Sequence, residues 1–264
     1  MPEDPAATQP ALRVYWQPGC SSCLRAREFL DAHAIGFVSI NVRENEPAAA
    51  ELAALGVRTV PVVVRGHEYV LAQDVDELAR FVGVSLERRR LAPDELVARL
   101  QALLKASESW LAAMPGERLH ERLPQRERSW LDLGFHVAMI VQGLMTAAGG
   151  GELSYAIYEQ RAPASWRDAR PALEFSHATR HGLALWWQHA REHPGLRVRT
   201  YFGEQPLEGL LERSAWHVAQ HCRQLEYLVR EVAGITAAPV LPAAVLEGLP
   251  LPAAVWDPEA VPGA

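Results

Sequence analysis

Short apolar runs and stretches with helical spacing alternate over the first third of the chain. Over residues 12 to 83 this alternation indicates an α/β unit with a mixed sheet and the order βαβαββα. Gly66-His67 separates two of the runs and predicts a hairpin, and Asp74 and Gly83 are typical of residues that cap a helix at its two ends. The predicted strands are 12–17, 37–42, 62–65 and 68–71, and the predicted helices start near residue 21 and cover 48–55 and 75–82.

The strand signal disappears after Ser85, and four long stretches with apolar residues at helical spacing follow. Segments rich in proline and glycine separate them, which predicts an all-α four-helix bundle with helices near 94–113, 127–148, 165–192 and 207–233. From Thr236 onward six prolines interrupt an apolar tail, which we expect to lie extended against the body. The predicted organisation is a domain over 11–84, a linker over 85–92, the bundle over 93–234 and a tail over 235–264.

The composition is typical of a globular protein and opposes several partner classes. The 264 residues are 49% hydrophobic and 22% charged, which allows a sizeable core under a solvated surface. The formal net charge of −6 opposes a nucleic-acid footprint, which needs a clustered basic face. No apolar stretch approaches the roughly 18 residues that a membrane span needs, and the first ten residues lack the regions of a signal peptide. We therefore expect a cytoplasmic protein without a nucleic-acid or membrane partner, and the oligomeric state stays open.

Two of the three cysteines form the sequence Cys20-Ser21-Ser22-Cys23 at the start of the first predicted helix. With so few cysteines the protein is no disulfide scaffold, and the pair indicates redox or metal chemistry. A cysteine at a helix N-terminus has its thiolate favoured by unpaired N–H groups and the helix dipole, so Cys20 is the expected nucleophile. Cys23 lies one turn on and can resolve a mixed disulfide formed at Cys20. The alternative is half of a zinc site, for which no second Cys-x-x-Cys supplies the other ligands.

Two motifs carry further information: the stretch Val14-Tyr15-Trp16-Gln17-Pro18-Gly19-Cys20-Ser21-Ser22-Cys23 and, later, Thr59-Val60-Pro61. Together they resemble the glutaredoxin family, over residues 11 to 84. That resemblance implies a thioredoxin-like fold with a cis proline at Pro61, and a backbone before it that faces the nucleophile. It also implies that this backbone pairs with an extended thiol, glutathione or a similar low-molecular-weight thiol. The thiol-binding residues carried over are Gln17, Thr59, Val60, Pro61 and Asp74.

Two positions depart from the glutaredoxin pattern. The family usually has a basic residue three positions before the nucleophile, where it meets a glutathione carboxylate, whereas this chain has Gln17, which can still donate a hydrogen bond. The paired glycines that usually precede the last helix are replaced by Ala72-Gln73, followed by Asp74. Both departures concern the recognition of glutathione rather than the cysteine pair.

Three of the ten histidines suggest a metal site. His217 and His221 are four residues apart in the last long helix, which places both imidazoles on one face at a spacing suited to a metal. Val218 excludes the metalloprotease pattern, which needs a glutamate at that position. His136 lies in an apolar part of the second long helix, where an unpartnered imidazole would be costly to bury, and it could face the fourth helix.

A histidine in the second helix and His-x-x-x-His in the fourth resemble the DinB-like (YfiT-like) family of metal-binding four-helix bundles, over residues 93 to 234. That resemblance implies that His136, His217 and His221 hold one divalent metal. Three neutral imidazoles suit Zn²⁺, Ni²⁺ or Fe²⁺ and leave a coordination position for water, thiolate or substrate. Known members of that family include thiol S-transferases and thiol-dependent isomerases. The alternative to a metal site in this chain is an empty site in which the three histidines are structural. Further groups near the ligands that could hold the imidazoles are Tyr201, Glu204 and Gln224, and the alternative is that they are ordinary core aromatic and solvated polar residues.

The two resemblances share one substrate class. The leading hypothesis is a thiol-dependent enzyme in which exchange at the cysteine pair is coupled to a metal site acting on a glutathione-type thiol or its adduct. Its second substrate would be a small disulfide or an electrophile. The alternatives are a non-catalytic metal or redox sensor, and a plain disulfide reductase with a structural helical bundle. The remaining thiol, Cys222, is expected in the core, because it points about 100° away from His221 on the helix.

Overall fold

The computed structural model describes residues 11–124 and 126–258, and the chain divides into two compact units between Leu86 and Glu87. The first unit contains four strands and three helices in the predicted order βαβαββα. Each observed boundary lies within two residues of the predicted one. The elements are β1 (Leu12–Trp16), α1 (Ser21–Ala32), β2 (Phe37–Asn41), α2 (Glu46–Ala54), β3 (Val62–Arg65), β4 (Glu68–Leu71) and α3 (Val75–Val82).

The four strands form one mixed sheet in the order β2-β1-β3-β4. Strand β2 runs parallel to β1, whereas β3 runs antiparallel to both β1 and β4. The three valines of β3 are at most 1% exposed, because helices cover both faces of the sheet. Val63 packs in one cluster with residues of α1 and α3, while Val62 and Val64 pack in another with residues of α2. The first unit therefore has a thioredoxin-like arrangement.

Both predicted caps of α3 are confirmed. Asp74 is the N-cap residue, and its Oδ1 accepts from the backbone N–H of Asp76 at 2.7 Å. Gly83 ends the helix with φ of +78°, a left-handed conformation that a residue without a side chain adopts readily.

The second unit is mostly helical. Its first four α-helices are α4 (Pro93–Ala113), α5 (Trp130–Ala148), the short α6 (Tyr155–Glu159) and α7 (Arg170–Ala190), and a 3₁₀ turn over Gly116–Arg118 lies between α4 and α5. The next is α8 (Leu207–Tyr227), which continues as a π-helical turn over Leu228–Val232. Helices α4 and α5 each pack against both α7 and α8. Trp110, Trp130 and Trp216 are the largest fully buried side chains in this core.

A β-hairpin follows α7, so the prediction that no strand occurs after Ser85 was wrong. Strand β5 (Arg197–Thr200) pairs antiparallel with β6 (Gly203–Pro206). Burial alternates along β5, with the two arginines exposed and the valine and threonine buried. Strand β6 has the sequence Gly-Glu-Gln-Pro, which contains no β-branched or aromatic residue, so its composition does not indicate a strand.

Helix α5 has the length and hydropathy of a membrane span, contrary to the expectation that no stretch of the chain approaches that size. Its 19 residues contain an 18-residue window with a mean hydropathy of 1.4, and 72% of this window is buried inside the protein. Such burial is typical of a core helix. No other helix within the described ranges is both as long and as apolar as a membrane span requires.

The chain after α8 includes one short helix, α9 (Ala243–Leu246), which the sequence did not predict. Two side chains of α8, Gln220 and Arg223, donate to backbone carbonyls between residues 252 and 255 at 2.7–3.1 Å. These carbonyls are available because a segment with this many prolines forms no regular hydrogen-bond ladder. The end of the described chain is thereby bonded to α8.

Candidate functional site

Three buried histidines lie together in the second unit. His136 comes from α5, and His217 and His221 come from α8, with exposed fractions of 2%, 9% and 1%. One ring nitrogen of each lies within 4.8 Å of a ring nitrogen of the other two. The Nε2 atoms of His217 and His221 are 3.1 Å apart. The three residues predicted as ligands are therefore neighbours inside the unit.

The spacing between the ring nitrogens of His217 and His221 fits one shared metal ion. Two nitrogens that each lie about 2.0–2.1 Å from an ion are roughly 2.9–3.4 Å apart at octahedral to tetrahedral angles. The 3.1 Å between the Nε2 atoms of His217 and His221 falls in that range. The Nδ1 atoms of His136 and His217 are buried and have no hydrogen-bond partner among the described residues. Because Nε2 of His217 is the nitrogen that faces His221, its Nδ1 is the outer nitrogen, and no described acceptor holds it.

Burial keeps the three imidazoles neutral, which is the form that binds a metal. It is the largest cause that lowers the pKa of His136 and His217 well below the usual 6.5 and that of His221 to about 3. Arg126 and Arg128 lower these pKa values further, because a positive charge nearby opposes protonation. At neutral pH all three rings therefore present a lone pair.

Gln224 fixes the orientation of His221. Its Oε1 accepts from Nδ1 of His221 at 2.7 Å, and its Nε2 donates to the carbonyl of Val255 at 2.9 Å. The first bond makes Nδ1 the protonated nitrogen of His221 and leaves the lone pair on Nε2, which faces the other histidines. Gln224 is one of the three supporting groups considered from the sequence, whereas Glu204 instead forms an exposed ion pair with Arg197.

Tyr158 and Arg213 border the histidines, although sequence reasoning singled out neither. The Tyr158 ring stands edge-on to His136 and His217, with ring centroids 5.8 and 5.5 Å apart. Arg213 donates from Nη1 to the Tyr158 hydroxyl at 3.1 Å and from Nη2 to the Tyr201 hydroxyl at 2.7 Å. The position of Arg213 one turn before His217 is a signal that could have found it, since the two share a helix face.

The first unit carries the cysteine pair at the N-terminus of α1. Cys20 is the N-cap residue, and its Sγ accepts from the backbone N–H of Cys23 at 3.2 Å. The two residues are joined in a disulfide with their Cα atoms 5.2 Å apart. Cys20 is partly exposed, whereas Cys23 is 0% exposed. The accessible sulfur is thus also the one at the helix N-terminus, which favours its thiolate.

The segment Thr59-Val60-Pro61 lies beside this pair. The bond between Val60 and Pro61 is cis, as predicted. Val60 belongs to the same buried cluster as Cys23, and Cys20 packs against that cluster. Thr59 is half-buried, and its hydroxyl donates to the Val60 carbonyl at 3.4 Å. The cis proline and the two sulfurs at the start of α1 therefore lie in the same region of the first unit.

This juxtaposition is what thiol–disulfide exchange on a thioredoxin-like sheet requires. Residues 12–70 match the glutaredoxin family. The match lies within the first unit, which is therefore a glutaredoxin domain. No curated protein and no solved structure gives a significant match to the chain.

Gln17 of the glutaredoxin domain is paired with a cation. Its Oε1 accepts from Nε of Arg43 at 3.2 Å. Gln17 follows β1 and Arg43 follows the parallel strand β2, so the register of the two strands brings both side chains to the same end of the sheet. A positive charge thus stands where the family usually has a basic residue. Sequence reasoning missed Arg43, although the parallel pairing could have located it.

Gln73 and Asp74 lie at the start of α3, close to the cis proline. Gln73 is 2% exposed, and its Nε2 donates to the Val60 carbonyl at 3.0 Å. The carbonyl of Gln73 in turn accepts from Nη2 of Arg25 at 2.9 Å. Gln73 thus supports the backbone beside the cysteines. From the sequence, Gln73 was noted only because it stands where the family usually has a glycine. Asp74 commits one carboxylate oxygen to the cap of α3.

The third cysteine is the core thiol that the sequence predicts. Cys222 is 0% exposed, and its Sγ donates to the carbonyl of Leu103 at 3.5 Å. Burial raises the pKa of this thiol, so it stays protonated at neutral pH.

Proposed function

We propose that the protein is a thiol-dependent oxidoreductase whose glutaredoxin domain exchanges thiols and disulfides through Cys20 and Cys23. The observation that carries this proposal is the position of the partly exposed Cys20 at the start of α1, with Cys23 buried behind it. The Cys20 thiolate attacks one sulfur of a disulfide, forms a mixed disulfide and releases the other half as a thiolate, which takes up a proton. Cys23 then loses its proton and attacks the Cys20 sulfur, which releases the second thiolate and closes the Cys20–Cys23 disulfide.

A low-molecular-weight thiol of the glutathione type completes the cycle. Two such thiols reduce the Cys20–Cys23 disulfide through a mixed disulfide and leave as one disulfide, so two electrons pass from the thiols to the substrate. The backbone of Thr59, Val60 and Pro61 is proposed to bind an extended thiol, which is supported by the position of Val60 in the same buried cluster as Cys23, against which Cys20 packs. Gln17 and Asp74 are the further thiol-binding residues of this proposal.

Arg43 is the cation that we assign to a carboxylate of that thiol, in place of the missing basic residue at position 17. Replacement of Arg43 by glutamine is expected to slow the reduction of the Cys20–Cys23 disulfide by glutathione about two- to fivefold. The expected effect is small because an exposed ion pair contributes only about 0.2–1 kcal/mol. Alkylation of the free thiols at timed intervals, followed by intact-mass measurement, gives the rate.

Glutathione with its glycine carboxylate esterified supplies the matching change in the thiol. The ester should reduce the unmodified protein at the rate that glutathione shows with Arg43→Gln, and that variant should not distinguish the two thiols. Arg80→Gln removes a different exposed cation of the same domain, on α3, and should retain the preference for free glutathione. An equal preference in both variants would contradict the role of Arg43.

We further propose that the second unit is a DinB-like four-helix bundle in which His136, His217 and His221 hold one divalent metal, Zn²⁺, Ni²⁺ or Fe²⁺. The joint burial of three neutral imidazoles with nitrogens at ligand spacing supports this assignment. When bound, such an ion supplies Lewis acidity that lowers the pKa of a coordinated thiol or polarises an electrophile. The chain itself holds three nitrogen donors in place and keeps water away from them. The proposed reaction class is S-transfer to an electrophile, or isomerisation through a thiol adduct.

Gln224 acts in this proposal as a positioning residue. Gln224→Leu is expected to weaken metal binding about 10- to 100-fold, the usual effect of removing a hydrogen-bond partner of a metal-bound histidine. Competition with a chromophoric chelator measures the dissociation constant. Gln220→Leu is the matched control, because Gln220 donates to the same carbonyl of Val255 at 2.8 Å and has no hydrogen bond to a described imidazole. Equal metal affinities in the two variants would mean that Gln224 only holds the tail at Val255 and does not position His221 for the metal.

A plain disulfide reductase with a structural second unit is the second candidate function. It is favoured by the extent of the family match, which ends within the first unit. Under this alternative, exchange at Cys20 accounts for all activity, and chelators leave every reaction of the protein unchanged.

A further inference from the structure

A second pair of histidines lies on the exposed face of α7. His177 and His181 are four residues apart, so their side chains leave the helix on the same face. Their ring centroids are 4.5 Å apart, and their Nε2 atoms are 3.3 Å apart. Both residues are exposed, and among the described residues neither imidazole has another hydrogen bond. The two rings therefore present the same nitrogen to each other at the protein surface.

The distance between these two nitrogens suits a shared metal ion. Nitrogens that each lie about 2.0–2.1 Å from an ion are roughly 2.9–3.4 Å apart at octahedral to tetrahedral angles. The 3.3 Å between the Nε2 atoms of His177 and His181 falls in that range. In the tautomer that carries its proton on Nδ1, each ring offers a lone pair at Nε2, while Nδ1 can donate to water. The pair can thus bind one ion through both rings.

The surroundings of the pair leave room for an ion and its bound water. Ala178 and Ala184 are exposed positions on the same side of α7, and both have small side chains. Glu174 lies three residues before His177, is exposed, and has no hydrogen bond or ion pair within the described part of the chain. Its carboxylate adds negative charge near the pair, which attracts a cation. No third described residue completes the ligand set, so water fills the other coordination positions.

We propose that His177 and His181 form a second, labile metal site on the surface of the helical unit, which binds Cu²⁺ more tightly than Ni²⁺ or Zn²⁺. That preference is the general order of affinity of divalent ions for nitrogen ligands. Two protein ligands hold an ion less tightly than three, so this site exchanges its ion with the solution and loses it when unbound metal is removed. The proposal does not depend on the three buried histidines, which belong to α5 and α8.

Calorimetric titration with Cu²⁺ tests the site, on protein whose Cys20–Cys23 disulfide is closed so that these thiols do not react with the ion. His181→Ala should bind one Cu²⁺ fewer per chain than the unmodified protein. Both proteins retain the three buried histidines, so the difference does not depend on whether those bind metal. The affinity of the pair should fall about 100-fold or more, because the remaining imidazole binds alone. Alanine favours the helix, so α7 should persist.

His189→Ala is the matched control, because His189 is an exposed histidine of the same helix whose Nδ1 lies 3.2 Å from the carbonyl oxygen of Leu185. It should bind as many Cu²⁺ ions as the unmodified protein. Electron paramagnetic resonance supplies a second readout, since the ion that is lost in His181→Ala should show two coordinated imidazoles in its spin-echo modulation. Equal numbers of bound Cu²⁺ in the unmodified protein and His181→Ala would overturn the proposal. An equal loss in His189→Ala would also overturn it, because any exposed histidine would then serve.

Discussion

Replacement of His217 by alanine is expected to abolish stoichiometric metal binding while exchange at Cys20 continues. The loss of a direct ligand should exceed the 10- to 100-fold effect that is typical of losing an outer partner. Exchange should continue because Cys20 belongs to a separate compact unit. The measurement is elemental analysis of the protein after incubation with Zn²⁺, Ni²⁺ or Fe²⁺ and removal of unbound metal.

A second histidine pair of the same unit supplies the matched control. His177 and His181 lie on α7 with their Nε2 atoms 3.3 Å apart, close to the 3.1 Å between His217 and His221. Both are exposed, and no third described residue completes a ligand set with them. His181→Ala should therefore retain one metal ion per chain. A comparable loss in both variants, or an unmodified protein that retains no metal, would contradict the three-histidine site.

Turnover distinguishes the proposed enzyme from the alternatives. Conjugation of an electrophile with glutathione should disappear on chelation and in His217→Ala, while reduction of disulfides persists. Bound metal without any turnover would instead favour the sensor. Loss of disulfide exchange on chelation would mean that the two sites form one coupled centre.

The elements of the glutaredoxin domain could be predicted because their ends have local signals. Asp74 and Gly83 cap α3 through contacts with their immediate neighbours, and β3 and β4 are joined by a turn of two residues at Gly66-His67. Signals of this kind can be recognised in the sequence without knowledge of the tertiary structure. The hairpin of β5 and β6 carries a weaker signal, because the Gly-Glu-Gln-Pro of β6 contains no β-branched or aromatic residue, whereas β3 has three consecutive valines.

The histidine site shows where local reasoning ends. The spacing of His217 and His221 lies within one helix turn and is visible in the sequence, but His136 joins them only because α5 packs on α8. The apolar surroundings of His136 indicated only that it could face the fourth helix, and the family resemblance implied the complete ligand set. Tyr158 and Arg128 come from a helix of five residues and a segment without regular structure, where periodicity carries no information. The place of these two residues beside the site was therefore not predictable from the sequence.

Replacement of Cys20 by serine is expected to reduce exchange to the uncatalysed rate, whereas Cys23→Ser should stop the reaction at the mixed disulfide. Cys20 has the partly exposed sulfur at the N-terminus of α1, so its loss removes the thiolate that attacks. Cys23 is buried behind it and acts only on the intermediate. Intact-mass measurement after incubation with oxidised glutathione should show one bound glutathione in Cys23→Ser and none in Cys20→Ser.

Cys222→Ser is the control for this pair, because its thiol is buried, protonated and bonded to the carbonyl of Leu103. That variant should exchange at the rate of the unmodified protein and form no lasting adduct. An adduct on Cys23 in Cys20→Ser, together with none in Cys23→Ser, would reverse the assignment of attacker and resolver. The helix N-terminus would then not be what selects the reactive sulfur, because both the N–H bond to Cys20 and the greater exposure of Cys20 favour the opposite order.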